Sequence, residues 1–330
     1  MASWIEEANP AIALAVALLL FMPLLANEFV LFQVFSWALI LGIIALSLMF
    51  LAGLGGMVSL AQMTIAGFAG YMVAIFGVNG VASISLGWPW WLAAPMALAL
   101  ATLFGTVTGA LAVRTEGIYT IMITLAIAAA FFYFVNQNYA LFNGHTGINS
   151  VATPVFLGVD WRAPTPFYYL TLALAALCYW TVSYLARAPF GLALQGVRDN
   201  PRRMAALGFN VNAHRVAAYA IASFMAAIGG ILLVWSNGQI SPGTVGVDAA
   251  IDILIIAVVG GVTRPVGPFI GALIYVLLRT FALDVLVAAG LDGNRFRLLI
   301  GFGFLAIVFF SPDGIVGLWT RWRGKGGAHG

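Results

Sequence analysis

Few side chains in this sequence could do covalent chemistry, and their spacing speaks against it. Eleven carboxylates, fourteen lysines plus arginines, three histidines and one cysteine are spread over 330 residues. His145, His214 and His329 lie far apart and lack metal-ligand spacing, so no metal is expected. The only lysine, Lys325, follows no glycine-rich phosphate loop, and no G-x-S-x-G nucleophile elbow is present. Cys178 has no partner for an internal disulfide and reads as a small packed hydrophobe. A net charge of +3 is too small and scattered for nucleic-acid binding. What remains is hydrogen-bonding chemistry inside apolar runs. Ser59 and Gln62 are three apart and share a helix face. Tyr71 follows them, and Tyr119, Thr120 and Thr124 add hydroxyls further on. Such groups can hold a polar solute or pack against neighbours; a threonine in such a run commonly bonds back to its own backbone. Asp248 and Asp252 lie four apart at the edge of an apolar run, and Arg279 and Asp284 read as a structural pair.

The elements that must position these groups are long and apolar. The chain is 63% hydrophobic and 8% charged, against roughly 25% charged in soluble domains. Continuous apolar runs of helix-spanning length exclude a β-barrel and require a bilayer. The fold class is therefore all-α, a polytopic membrane helix bundle forming a single domain over 1–330. About ten spans are expected, near 11–26, 30–54, 57–77, 90–113, 117–137, 166–186, 215–236, 249–263, 265–288 and 296–311. The first residues carry Glu6 and Glu7 and no basic residue, so the first run is expected to be a retained span, not a cleaved signal.

Basic residues orient the bundle. With ten spans, Arg114, Arg187, Arg198, Arg202, Arg203, Arg215, Arg264, Arg321, Arg323 and Lys325 share one side, against Arg162, Arg295 and Arg297. Positive charge stays inside, so both termini and the 187–215 loop are expected in the cytoplasm. That loop carries helix signals. Pro189 suits a first helical turn, Asp199 or Asn200 can cap a second helix beginning at Pro201, and Gly208 can end it. Asp199 and Arg203 are close enough to pair, and Leu192, Leu194, Met204 and Leu207 need lipid, spans or a partner to cover them. A basic amphipathic loop resting on membrane lipid is the plainer reading; the caps favour protein docking. Thr115 is placed to cap the 117–137 span, with Glu116 near its positive end.

Glycine marks the breaks. Gly53, Gly55 and Gly56 precede Ser59, and Ala66, Gly70 and Ala74 form a small-residue stripe that admits another helix. Gly260, Gly261, Pro265, Gly267 and Pro268 mark a sharp turn or a re-entrant loop. Residues 138–165, with LFNGHTGINS, form a turn-rich outer connection.

These stretches in this order resemble the branched-chain amino acid permease family of ABC transporters, on the side of its M-type subunit. The resemblance is carried by GGMVSLAQMTIAGFAGYMVA (at Gly56, Ser59, Leu60, Gln62, Gly67, Gly70 and Tyr71) and by GIYTIMITLA (at Gly117, Tyr119, Thr124 and Leu125). LFNGHTGI, GLALQGVRDNPRRMAALGFNV, GGVTRPVGPFIGA and SPDGIVGL continue it to residue 317. Ala61 stands in place of a usual glycine, Leu192 of a common arginine and Pro201 of a common acid. The resemblance implies a multi-pass bacterial inner-membrane subunit with no catalysis and no cofactor. It implies a second, H-type permease chain, two cytoplasmic ATPases and a periplasmic binding protein as partners. Branched-chain amino acids are the implied substrates, with urea, short amides or aromatic acids in sister systems. Gly191, Arg198, Asp199, Asn200, Arg202, Ala205 and Gly208 would couple to the ATPase. Ser59, Gln62, Tyr71, Tyr119 and Thr124 would face the substrate, and Gly55, Gly56, Gly260, Gly261, Gly267 and Pro268 would break or pack helices. A passive channel or ion-coupled transporter, with Asp252 as the coupling acid, is the alternative reading; a structural membrane subunit is a third.

Overall fold

The computed structural model describes residues 19–288, apart from Leu25, Glu116 and Leu157, together with Gly314. Two helices form the centre. Helix α1 (Val30–Leu54) and, later in the chain, Val211–Asn237 beyond its polar first turns are almost wholly apolar and mostly buried. A helix with no polar face has no reason to meet water and packs inside. The first and last turns of α1 widen to π register, at Val30–Ser36 and Phe50–Leu54.

After Leu54 the chain stops being helical. Gly56 takes a left-handed φ of 65°, and the Met57 amide bonds back to the Leu51 carbonyl at 3.0 Å. Residues 56–59 are irregular before α2 (Gln62–Phe76) begins. At 15 residues, α2 is about 22 Å long, short of a ~30 Å hydrocarbon core. The run expected at 57–77 is thus an irregular segment plus a short helix.

Helices α3 (Trp90–Ala112), α4 (Ile118–Gln137) and α5 (Pro164–Leu185) each bury one stripe. On α3 the stripe is Ala93, Ala97, Ala101, Gly105, Gly109 and Ala112; on α4 it is Thr120, Thr124, Ala128, Phe131 and Val135. Their other faces expose Leu103, Val107, Met122, Phe134, Leu177 and Trp180. Exposed apolar faces on helices of spanning length fit lipid or another membrane chain. Thr115 does not cap α4. Its hydroxyl donates to the Ala112 carbonyl at 2.9 Å, finishing α3, because Gly117 at φ 62° starts α4 abruptly. Glu116 lies outside the described residues.

Two short helices, α6 (Pro189–Asp199) and α7 (Pro201–Ala206), precede α8 (Val211–Asn237), which packs on α1, α2 and α3. Then come α9 (Val247–Gly260) and α10 (Gly267–Ala288), joined by a turn in which Gly261 has φ 109°. Gly260, Gly267 and Gly271 let the two backbones touch, which any side chain would prevent. Arg279 on α10 lies over the Trp37 ring, 5.8 Å from its centroid, while the side chain of Asp284, its expected partner, lies outside the described residues.

The connections gather at two ends. At one end, strands β1 (Ile148–Asn149) and β4 (Gln239–Ile240) pair, Val151 bonds the Gly238 carbonyl and Ala152 that of Val78. Strands β2 (Val155–Phe156) and β3 (Val159–Asp160) form a small hairpin there. At the other end the 54–61 segment, α6 and the α9–α10 turn meet. Five described helices are long and apolar enough to cross a membrane: α1, α3, α4, α5 and α8. The runs at 11–26 and 296–311 lie outside the described residues.

Candidate functional site

The irregular segment after α1 carries its polar groups into the interior. Ser59 Oγ accepts from the Ala61 amide at 3.3 Å, and the Leu60 amide donates to Thr124 Oγ1 on α4 at 3.2 Å. Thr124 in turn donates to the Ile121 carbonyl at 3.0 Å. Gln62, the first residue of α2, accepts through Oε1 from the Ser47 hydroxyl on α1 at 3.0 Å, and that hydroxyl also lies 2.6 Å from the Ile44 carbonyl. Three helices are therefore tied to one short piece of chain. Ser59, Gln62 and Thr124 are all within 1% of full burial.

The cluster is not saturated. Gln62 Nε2, Thr64 Oγ1 and Ser223 Oγ are buried without a hydrogen-bond partner, as is the Tyr71 hydroxyl further along α2. The Tyr219 hydroxyl on α8 lies within side-chain hydrogen-bonding reach of Ser59. Tyr219 packs on Gly109, and Ser223, one turn on, packs on Gly105. An unpartnered buried polar group costs about 1–3 kcal/mol unless something outside the chain satisfies it, so these are groups that a solute or a second conformation can engage. The groups are hydroxyls and an amide. They can donate and accept hydrogen bonds, and offer no nucleophile with an adjacent base.

Of the expected pathway residues, the structure brings Ser59, Gln62 and Thr124 together. Tyr71 is buried further along α2, edge-on to Phe142 with ring centroids 5.2 Å apart. Tyr119 stands apart, 65% exposed on the outer face of α4. Ser47, Thr64, Tyr219 and Ser223 were not picked out from sequence. Tyr219 and Ser223, four apart in an apolar run, carried a signal of the same kind as Ser59 and Gln62.

At the end where α1 stops, α6 and α7 form a helical hairpin. Gly191 lies on the Leu185 backbone, Gln195 Nε2 donates to the Ala186 carbonyl at 3.0 Å, and Leu194 and Val197 are buried. Asn200 Oδ1 accepts from the Arg203 amide at 3.0 Å, capping α7, and Gly208 ends the hairpin at φ 90°. Asp199 pairs with Arg198 at 2.9 Å, not with Arg203, because Asn200 leaves helical geometry and puts residues 199 and 203 on different helices. Asp199, Asn200, Arg202, Ala205, Leu192 and Leu207 face outward. Arg198 turns inward and donates through Nη1 to the Gly53 carbonyl. Of the helix-break glycines, Gly53 abuts the Val262 carbonyl in the α9–α10 turn, Gly55 abuts Leu194 and Gly56 abuts the Arg198 stem. Gly314 lies against Gly260 and Gly261.

The profile of the family described as branched-chain amino acid transport system / permease component matches residues 30–308. The chain belongs to this family. It is a transport permease subunit and not an enzyme. Among named relatives, the probable branched-chain amino acid transport permease protein LivM of Methanocaldococcus jannaschii is 25% identical over 67% of this chain and 67% of its own. LivM of Escherichia coli is 21% identical over 80% of this chain and 66% of its own, so the chain spans about two thirds of those relatives. The ribose import permease protein RbsC of Haemophilus influenzae is 23% identical over 75% of this chain and 76% of its own. No solved structure matches the chain.

Proposed function

We propose that this chain is one half of the translocation pathway of an ATP-driven importer in the bacterial inner membrane. A second, H-type permease chain supplies the other half, two cytoplasmic ATPases drive the cycle, and a periplasmic binding protein delivers substrate. The observation that carries this reading is the capped α6–α7 hairpin. Its inner face is packed on the bundle, and its outer face presents Arg202, Leu192 and Leu207 with nothing over them among the described residues. Rigid, amphipathic and basic, it is built to receive a soluble domain. Gly191 and Arg198 support it from below; Asp199, Asn200, Arg202, Ala205 and Gly208 shape the contact surface.

Ser59, Gln62, Thr124 and Tyr71 form this chain's share of the solute path, and Tyr119 belongs to the α4 face that meets the second permease chain. Hydroxyl and amide groups without charge suit branched-chain amino acids or related small polar solutes, including urea, amides and aromatic acids. Both termini lie in the cytoplasm, and the outer runs 11–26 and 296–311 complete about ten spans. The test is co-purification and uptake. Wild-type chain pulls down an ATPase, hydrolyses no ATP alone, and imports only with ATPase and binding protein present. Arg202→Glu and Gly208→Val lose the ATPase and uptake together. Uptake by this chain alone in proteoliposomes overturns the reading.

A further inference from the structure

The α6–α7 hairpin reaches the break after α1 through Leu194 and Arg198, and Arg198 makes the polar tie. The Arg198 guanidinium donates to the carbonyl of Gly53, in the final π turn of α1. Carbonyls in the last turn of a helix lack intrahelical partners and carry the negative end of the helix dipole, so a cation there is held firmly. The Arg198 stem occupies the space in which a Gly56 side chain would sit, and Gly56 itself has φ 65°. One turn back, the Leu194 methyls lie 3.8 and 3.9 Å from the corresponding position on Gly55. On its outward side the same guanidinium pairs with Asp199, whose side chain is 67% exposed. From Gly56 the chain passes directly to Ser59, Leu60 and Gln62, which bond Ala61, Thr124 and Ser47.

Resting on the reading of α6–α7 as a docking element, we propose that Arg198 is a positioning residue. It is an internal latch between that hairpin and the break at Gly53–Gly56, and it does not contact the ATPase. A helix pressed from outside moves as a unit. Its only charged tie to α1 among the described residues is Arg198, so displacement of α6 shifts the Gly53–Gly56 break and with it the segment bearing Ser59 and Gln62. The unpartnered Gln62 amide and Ser223 hydroxyl are groups that a second position of that segment can engage. A partner can bias such an equilibrium only through different contacts in its two states, and the latch gives the hairpin that difference.

The test compares Arg198→Met, which keeps the stem but loses the donor, with Arg198→Lys, which keeps a cationic donor, and with Gly56→Ala, which fills the stem's seat. In the assembled importer in nanodiscs, Arg198→Met keeps its ATPase subunits. Uptake falls about tenfold or more, the scale of one lost charge-assisted hydrogen bond. ATP hydrolysis no longer responds to loaded binding protein. Arg198→Lys recovers part of the uptake, and Gly56→Ala behaves like Arg198→Met. On the isolated full chain in detergent, with Cys178→Ala and Ser59→Cys, a maleimide reacts several-fold faster when Arg198→Met is added. Normal uptake by Arg198→Met overturns the latch. So does loss of the ATPase from Arg198→Met, which makes Arg198 a docking contact and leaves the docking reading standing. If wild-type chain binds no ATPase, the docking reading falls, and an unchanged maleimide rate then overturns the latch as well.

Discussion

Gln62 uses only half of its amide. Oε1 is held by Ser47, while Nε2 is buried with no partner. A purely structural glutamine is expected to stabilise the fold, and replacing it should cost stability. Here the unpartnered donor already costs about 1–3 kcal/mol, and Ser47 keeps the Ile44 carbonyl if Oε1 is removed. Gln62→Leu is therefore expected to unfold at the same temperature as wild type or higher in a detergent melt, while uptake drops about tenfold, the scale of one hydrogen bond lost to solute. A lowered melting temperature with normal uptake would make Gln62 a packing residue. Ser59, Gln62 and Thr124 could be read from sequence because a polar residue in an apolar run is conspicuous. Direction could not. Tyr119 neighbours Thr120 in sequence, yet the buried stripe of α4 runs through Thr120, Thr124 and Ala128 and leaves Tyr119 outside. Tyr219 and Ser223 lie in the run expected at 215–236, and their hydroxyls carry no mark in the sequence of which face is inside.

Helices pack here by small residues, and each element carries its own test. The α3 stripe brings Gly105 against Ser223 and Gly109 against Tyr219. Gly109→Leu must push Tyr219 aside and is expected to destabilise by at least ~1–3 kcal/mol, read as a lower melting temperature, with Leu103→Ala on the exposed face as a neutral control. The stripe at Ala66 and Gly70 was legible, and the structure sets it on Gly230 of α8. The stripe on α3 follows the same four-residue rule, but a run that is apolar throughout does not announce which face is inside. In the hairpin, Asn200 was one of two candidate caps, and its side chain takes the role while Asp199 turns to Arg198. Asn200→Ala removes one cap, worth about 1 kcal/mol, and is expected to weaken ATPase co-purification, whereas Asn200→Asp preserves it. The break after α1 was visible in its glycines. Its extent was not, because glycine permits a non-helical path without specifying how many residues follow it.

At the scale of the whole molecule, the alternation of ends is the strongest consequence of the sequence. Among the described residues, Arg114, Arg187, Arg198, Arg202, Arg203, Arg215 and Arg264 lie in or beside connections at the end where α1 stops. Arg162 lies at the other, against Gly238. Helix length and hydropathy identify which segments can cross, and the charge bias is the basis for proposing that the basic end is cytoplasmic. The shorter helices α2 and α9 leave the count of crossings to the chain beyond them, but parity depends only on which connections share an end. Two exposed positions decide it. Leu192 is 59% exposed on the hairpin and Val155 is 64% exposed in the connection between α4 and α5. In a Cys178→Ala background, Val155→Cys is expected to react with a membrane-impermeant maleimide in intact spheroplasts. Leu192→Cys is expected to react only in inverted vesicles. Labelling of both from one side would break the alternation, and with it the argument that the hairpin meets a cytoplasmic motor. Opposite labelling leaves the basic hairpin, the glycine breaks and the latch on the face where ATP is available, and the unsaturated polar cluster between that face and the side from which solute arrives.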